Sequence, residues 1–130
     1  MLGQSLPCML LIDADVLQQQ VVARLLYARY KVVWCGAFAD AYGLLSLYQP
    51  RFVLIDIDQP SENPFQWIQD RRKHHELQGV PLVCVSAYSS VATKIMAFQM
   101  GADDFLVKPF APQAFLARME LLIRTVALGL

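Results

Sequence analysis

Apolar residues gather in five short runs along the chain, and none of these runs alternates with polar residues. The runs are Cys8 to Ile12, Val32 to Cys35, Phe52 to Ile55, Val80 to Val85 and Phe105 to Val107. Each run has the length of a strand, and continuous apolar character is typical of a strand buried on both faces. Such strands belong to parallel sheets that helices cover on both sides.

Between the runs, apolar residues recur at helical spacing. The sets are Leu17, Val21, Leu25 and Ala28; Phe38, Tyr42 and Leu45; Ile95 and Phe98; and Phe115, Met119, Leu122 and Val126. Seven prolines and glycines fall near the boundaries of the predicted elements, where turns are expected: Pro50, Pro60, Pro64, Gly79, Pro81, Gly101 and Pro112. Strand and helix therefore alternate five times, which predicts a single α/β domain over residues 1–130.

Charge and composition exclude several classes of partner. The chain carries 11 basic and 11 acidic side chains, so it has no broad electrostatic reason to bind nucleic acid or an anionic membrane surface. No apolar run approaches the roughly 18 to 20 residues that cross a bilayer. Cys8, Cys35 and Cys84 each lie inside an apolar run, which predicts three buried thiols in a reducing cytoplasm.

Polar residues of complementary kinds follow four of the five runs. Asp13 ends the first, Asp56 the third, Ser86 the fourth and Lys108 the fifth. In an open parallel sheet the carboxyl ends of the strands lie at one edge, where ligands bind. A solvated strand end would explain any one of these residues alone, but the four together predict a functional site.

Three motifs resemble the receiver domain of two-component response regulators: "LIDIDQP" (Leu54 to Pro60), "VPLVCVSAY" (Val80 to Tyr88) and "GADDFLVKPF" (Gly101 to Phe110). The resemblance covers nearly the whole chain. It implies a flavodoxin-like three-layer α/β/α sandwich with five helices and a five-stranded parallel sheet of order 2-1-3-4-5. It also implies a signalling domain, not an enzyme, in which a histidine kinase or phosphotransfer protein phosphorylates Asp56. A receiver commonly precedes an effector domain, so the chain also suits the N-terminal part of a longer regulator.

The chemistry expected of these residues is phosphoryl transfer, which depends on positioning and electrostatic stabilisation. Asp56 would be the nucleophile, and the Lys108 ammonium would reach the phosphoryl oxygens. The Ser86 hydroxyl and the Ala87 backbone N–H would donate hydrogen bonds to the same group. The resemblance also implies a cis peptide bond between Lys108 and Pro109, since X-Pro bonds adopt the cis form most readily.

The metal site departs from the family at one position. Receivers usually carry consecutive acids after the first strand, whereas here Ala14 stands at the direct metal-ligand position. The resemblance implies Mg2+ held by Asp13 and Asp56, and we expect Asp58 to supply part of the missing negative charge, giving a weakened site. Asp15 could also turn inward, or it could simply cap the following helix.

Two further expectations concern switching and assembly. Ser86 and Phe105 match the hydroxyl and aromatic positions that move together in the family, although Phe105 has no phenolic oxygen. The segment from the fourth to the fifth helix resembles the receivers of winged-helix transcription factors, which dimerise through this face. Four charged residues match that dimer: Lys94, Asp103, Asp104 and Arg118. Gln99 and Glu120 replace its usual acid and base, so the homodimer stays an open alternative.

Two other functions remain open from the sequence. The substitution at Ala14 is compatible with a degenerate pseudo-receiver that acts as a protein-interaction module without phosphorylation. A hydrophobic-Asp-x-Asp signature, present twice, also occurs in haloacid dehalogenase-like phosphatases. In those enzymes the lysine precedes the acidic pair, whereas Lys108 follows Asp103 and Asp104, and 130 residues leave no room for a cap domain.

Overall fold

Strands and helices alternate along the computed structural model, which describes residues 6–59, 63–74, 79–88 and 90–128. The strands are β1 Cys8–Ile12, β2 Lys31–Cys35, β3 Val53–Asp56, β4 Leu82–Ser86 and β5 Asp104–Val107. The helices are α1 Val16–Leu26, α2 Phe38–Tyr48, α3 Pro64–Arg72, α4 Val91–Met100 and α5 Pro112–Ala127. The predicted alternation is confirmed, and β4 begins two residues later than its apolar run because Val80 and Pro81 lead into the strand.

The five strands form one parallel sheet in the order β2-β1-β3-β4-β5. This is the predicted flavodoxin-like topology. All five carboxyl ends therefore lie at the same edge of the sheet. The direction in which successive strands are added reverses after β2, because β2 lies on one side of β1 and β3 on the other.

Two apolar layers cover the faces of the sheet, as the continuous runs predicted, except at the edge strand β2, where Lys31 and Trp34 are exposed. Alternate residues of a strand point to opposite faces, so Leu10 and Ile12 join the layer under α2, α3 and α4. Met9 and Leu11 join the layer under α1 and α5. In the first layer the rings of Phe38 and Trp67 stack with their centroids 5.1 Å apart.

The buried face of α1 differs from the predicted apolar stripe. Leu17 is 71% exposed and Val21 is 50% exposed, whereas Gln19, Val22 and Leu26 are buried. The Asp15 carboxylate caps the helix by accepting hydrogen bonds from the N–H groups of residues 17 and 18. The capping interpretation of Asp15 is therefore confirmed.

The predicted stripe of α4 is also exposed. Ile95 and Phe98 lie at the surface, and within α4 the small Ala97 packs against the sheet. In α5 the prediction holds, since Phe115 and Met119 are buried. In α2 the prediction holds in part, since Phe38 and Leu45 are buried whereas Tyr42 is exposed. Apolar spacing thus identified the inward face in α5 and most of it in α2, but not in α1 or α4.

The cysteine prediction is wrong at one position. Cys35 and Cys84 are buried thiols, but Cys8 is partly exposed because it is the first residue of β1, where the strand enters the sheet. Burial raises the pKa of the Cys84 thiol to about 12. No helix within the described ranges is long and apolar enough to cross a membrane.

A polar cluster at the opposite edge of the sheet joins α3 to β4 and β5. The Arg72 guanidinium donates hydrogen bonds to the carbonyl oxygens of Gly101 and Val80, each at 2.9 Å, and forms an ion pair with Asp103. Asp103 also accepts a hydrogen bond from the Leu82 N–H at 2.8 Å. Gly101 has a φ of 120°, and a Cβ there would lie 2.7 Å from the Arg72 Cγ, so this turn requires glycine.

Candidate functional site

The carboxyl edge of the sheet brings the four predicted strand-end residues together. Asp13 follows β1 directly, Asp56 ends β3, Ser86 ends β4 and Lys108 follows β5. The Lys108 Nζ lies 2.5 Å from the Asp56 Oδ2, and the Lys108 backbone N–H donates to the Ser86 carbonyl oxygen at 2.9 Å. We name this group of residues, with Asp58 and Ala87, the acidic site.

Both carboxylate oxygens of Asp56 are engaged. Oδ2 accepts from Lys108, and Oδ1 accepts from the backbone N–H of Asp58 at 2.8 Å. The residue is 6% exposed, so its side chain is held in one orientation at the mouth of the site. A carboxylate fixed in this way can present an oxygen in line with an incoming phosphoryl group.

Lys108 carries the positive charge of the site. Burial by itself lowers the pKa of the Lys108 ammonium, but the hydrogen bond to Asp56 and the negative charges of Asp56, Asp13 and Asp58 outweigh it, so its pKa is raised. The side chain is therefore an ammonium at neutral pH. The Lys108–Pro109 peptide bond is cis, as expected.

The surroundings of Asp13 raise the pKa of its carboxyl group. Burial raises its pKa from 3.8 to about 6, aided by the neighbouring negative charge of Asp56 and opposed by a hydrogen bond from the Asp15 N–H. Its side chain is almost fully withdrawn from solvent, at 4% exposure. Asp13 and Asp56 are thus neighbouring carboxylates that repel one another when both are ionised.

Asp58 has a different partner from the one that the sequence suggested. Its Oδ1 accepts a hydrogen bond from the Ser86 Oγ at 2.6 Å, and its Oδ2 accepts from the Ala87 N–H at 2.9 Å. The Ser86 Oγ in turn accepts from the Tyr88 N–H at 3.0 Å. The carboxylate expected beside the metal acids therefore binds the two donors expected for the phosphoryl group.

The acidic site offers Mg2+ oxygen ligands of the right kind but few of them. Asp13 and Asp56 supply neighbouring carboxylates, whereas Asp58 contacts β4 and Asp15 caps α1. Across the described ranges, no cluster of three or more His, Cys, Asp or Glu side chains is arranged to hold a metal ion. A hard divalent cation prefers six oxygen ligands, so water would have to complete its shell here.

Two buried glutamines support the site, and the sequence analysis missed both. The Gln19 Nε2 donates to the Asp13 carbonyl oxygen at 2.6 Å. The Gln59 Nε2 donates to the carbonyl oxygens of Asp56 at 2.9 Å and Ile12 at 3.3 Å. Helical spacing puts Gln19 on the same face of α1 as Val22, which could have suggested that its side chain points inward. Nothing in the sequence indicates that Gln59 is buried.

The switch and dimer residues lie on the β4, α4, β5 and α5 side. Phe105 is buried, with the Lys94 Nζ 5.9 Å from the centre of its ring. Arg118 forms an ion pair with Asp104 of the same chain. Asp103 likewise pairs with Arg72, so three of the four charges expected across a dimer have an ion-pair partner within the chain.

Comparisons with known proteins identify the family to which the chain is similar. The family model described as "Response regulator receiver domain" matches residues 9–120. The transcriptional regulatory protein GltR of Pseudomonas aeruginosa is 30% identical over 116 residues, covering 88% of this chain and 48% of GltR. The sensory transduction protein BceR of Halalkalibacterium halodurans is 30% identical over 118 residues, covering 91% of this chain and 50% of BceR.

A solved structure extends the similarity to three dimensions. The BeF3-activated N-terminal receiver domain of RstA from Klebsiella pneumoniae superposes with a TM-score of 0.80 at 26% identity, covering 89% of this chain and 97% of that chain. The present chain spans about half the length of the curated relatives that it matches. The family match over residues 9–120, together with the five-stranded parallel fold, shows that the chain belongs to the response regulator receiver domain family.

Proposed function

We propose that this receiver domain accepts a phosphoryl group on Asp56 from a histidine kinase or a phosphotransfer protein. The contact between Asp56 and Lys108 supports this role most directly, because a buried carboxylate lies 2.5 Å from a protonated amine at the carboxyl edge of the sheet. Membership of the receiver family sets aside the dehalogenase-like phosphatase alternative.

Each residue of the acidic site has a distinct part in the transfer. An Asp56 oxygen attacks the phosphorus, and the bond from phosphorus to the donor breaks as the acyl phosphate forms. Lys108 neutralises charge on the transferred group, and Ser86 with the Ala87 N–H would hydrogen-bond its oxygens. Asp13 and Asp56 would hold Mg2+, which when bound would neutralise phosphoryl charge, and Ala14 makes that site weak.

The wider setting follows the same proposal. The domain covers residues 1–130, acts in the cytoplasm as a signalling module and not as an enzyme, and suits the N-terminal part of a longer regulator, since the curated relatives are about twice its length. Exposed apolar residues of α4, Ile95 and Phe98 among them, support pairing of two copies through α4, β5 and α5. The domain itself would bind neither nucleic acid nor membrane.

Incubation with acetyl phosphate and Mg2+ tests the proposal. Intact-protein mass spectrometry should show a gain of one phosphoryl mass, which Asp56→Asn abolishes and Lys108→Ala slows. Asp40→Asn is a matched control, because Asp40 is an exposed aspartate in the first turn of α2 and makes none of the contacts described for the acidic site. If the parent protein gains no mass at saturating donor and metal, phosphorylation is not its function.

A pseudo-receiver is the second candidate, and one contact favours it. The Asp58 carboxylate binds the Ser86 hydroxyl and the Ala87 N–H, so the site is internally satisfied without a phosphoryl group. A protein of this kind would bind its partner equally well as the parent and as Asp56→Asn. A receiver would bind its partner differently after phosphorylation.

A further inference from the structure

We propose that the Asp58 carboxylate is an internal ligand of the acidic site, occupying the hydrogen-bond donors that a phosphoryl group on Asp56 would use. The inference rests on the proposed function for the role of those donors. It concerns a contact within one chain, so the contact itself can be tested without phosphorylation.

The geometry of the carboxylate fits both donors at once. One oxygen lies 2.6 Å from the Ser86 Oγ and the other lies 2.9 Å from the Ala87 nitrogen. A phosphoryl group likewise presents several anionic oxygens to neighbouring donors, and hydrogen bonds to an ionised acceptor are stronger than neutral ones. A carboxylate is therefore a chemical analogue of the group expected here, with fewer oxygens and less charge.

The backbone before and after Asp58 holds the carboxylate at this place. The Asp58 N–H donates to Asp56 at 2.8 Å, and the Ile57 N–H donates to the Val85 carbonyl oxygen at 3.1 Å. The buried Gln59 side chain binds the Asp56 carbonyl oxygen at 2.9 Å. These contacts fix the backbone from Asp56 to Gln59. The Asp58 side chain therefore loses little conformational entropy when it binds the donors at the end of β4.

Occupancy by Asp58 has a consequence for Ser86. The hydroxyl donates to Asp58 and accepts from the Tyr88 N–H. It is therefore held toward the loop that follows Asp56 before any phosphoryl group arrives. Phe105, the aromatic residue expected to follow the hydroxyl, is buried in this same arrangement. An incoming phosphoryl group must displace Asp58 from both donors. The negative charges of the phosphoryl group and of the Asp58 carboxylate also repel one another.

The first measurement uses the protein without phosphoryl donor or metal. Amide hydrogen exchange at Ala87, followed by NMR, should be at least tenfold faster in Asp58→Ala than in the parent. Asp58→Asn, which keeps the size of the side chain and one carbonyl acceptor, should lie between them. Asp40→Ala removes the same charge from α2 and should match the parent. Equal exchange at Ala87 in the parent and in Asp58→Ala would overturn the inference.

The second measurement adds acetyl phosphate and Mg2+. Release of the donors should let Asp58→Ala gain its phosphoryl group at least threefold faster than the parent and Asp40→Ala. Equal rates would overturn the competition between Asp58 and the phosphoryl group. If no variant is phosphorylated but Ala87 exchange still accelerates in Asp58→Ala, the proposed function fails while the internal contact stands.

Discussion

Replacing Asp13 with asparagine should stabilise the protein at neutral pH. Asp13 is buried beside Asp56, and a pKa raised from 3.8 to about 6 means that the folded state holds this proton more tightly than the unfolded chain. Each pKa unit corresponds to roughly 1.36 kcal/mol, so ionised Asp13 costs about 3 kcal/mol of stability above pH 7.

The parent protein should lose stability as the pH rises through the range in which Asp13 ionises. Below about pH 4 the Asp13 carboxyl is protonated in both states and carries no penalty. As the pH rises from about 4 to about 6, the unfolded chain gives up its proton first, so the parent loses stability, and above about pH 6 the loss levels off. The amide introduced by Asp13→Asn cannot ionise, yet its carbonyl oxygen can still accept the hydrogen bond from the Asp15 N–H.

Urea unfolding followed by circular dichroism, from pH 4.5 to pH 8 with EDTA present, measures the effect. The free energy of unfolding of Asp13→Asn should gain on the parent by about 2 kcal/mol across that interval. Asp40→Asn, an exposed control on α2, should follow the parent. Parallel curves for the parent and Asp13→Asn, or a less stable Asp13→Asn at pH 8, would refute the reasoning.

Three further predictions concern the metal, the polar cluster and the thiols. Ala14→Asp should bind Mg2+ about tenfold more tightly than the parent in calorimetric titration, since about 1.4 kcal/mol of binding energy is enough; equal affinities would contradict the weakened-site proposal. Arg72→Ala should lower the free energy of unfolding by about 3 kcal/mol, because charged hydrogen bonds are lost. Arg124→Ala, which removes an exposed side chain of α5, should change it by under about 0.5 kcal/mol. Iodoacetamide should modify the partly exposed Cys8 well before Cys84, whose thiol is buried with a pKa of about 12; equal rates by mass spectrometry would contradict this.

The sheet could be predicted from the sequence because burial on both faces leaves a direct trace in it. A strand covered on both sides needs apolar residues at every position, as in Val53 to Ile55. The inward face of a short helix leaves a weaker trace, since a polar residue can take an inward position when it finds a hydrogen-bond partner there. In α1, Leu17 and Val21 are exposed, whereas Gln19 is buried and binds the Asp13 carbonyl oxygen.

The acidic site could be predicted as far as the backbone alone determines it. Asp13, Asp56, Ser86 and Lys108 meet because parallel strands end at one edge, and this needs only the strand boundaries. The partners of the Asp58 side chain could not be predicted, because they depend on which hydrogen-bond donors at the end of β4 come within reach of the loop that follows β3. That information is contained in the packing of the two strands and not in the sequence on either side of Asp58.

The positions of the two tryptophans give the protein two separate optical reporters. Trp34 is half exposed on the edge strand β2, whereas Trp67 is buried against Phe38 and its indole nitrogen has no hydrogen-bond acceptor among the described residues. An indole in an apolar, unbonded environment emits at shorter wavelength than one in water and is shielded from dissolved quenchers. Trp34→Phe would therefore leave a fluorescence signal that comes from the α2 and α3 side of the sheet alone, and Trp67→Phe would leave one that reports on the surface beside α1.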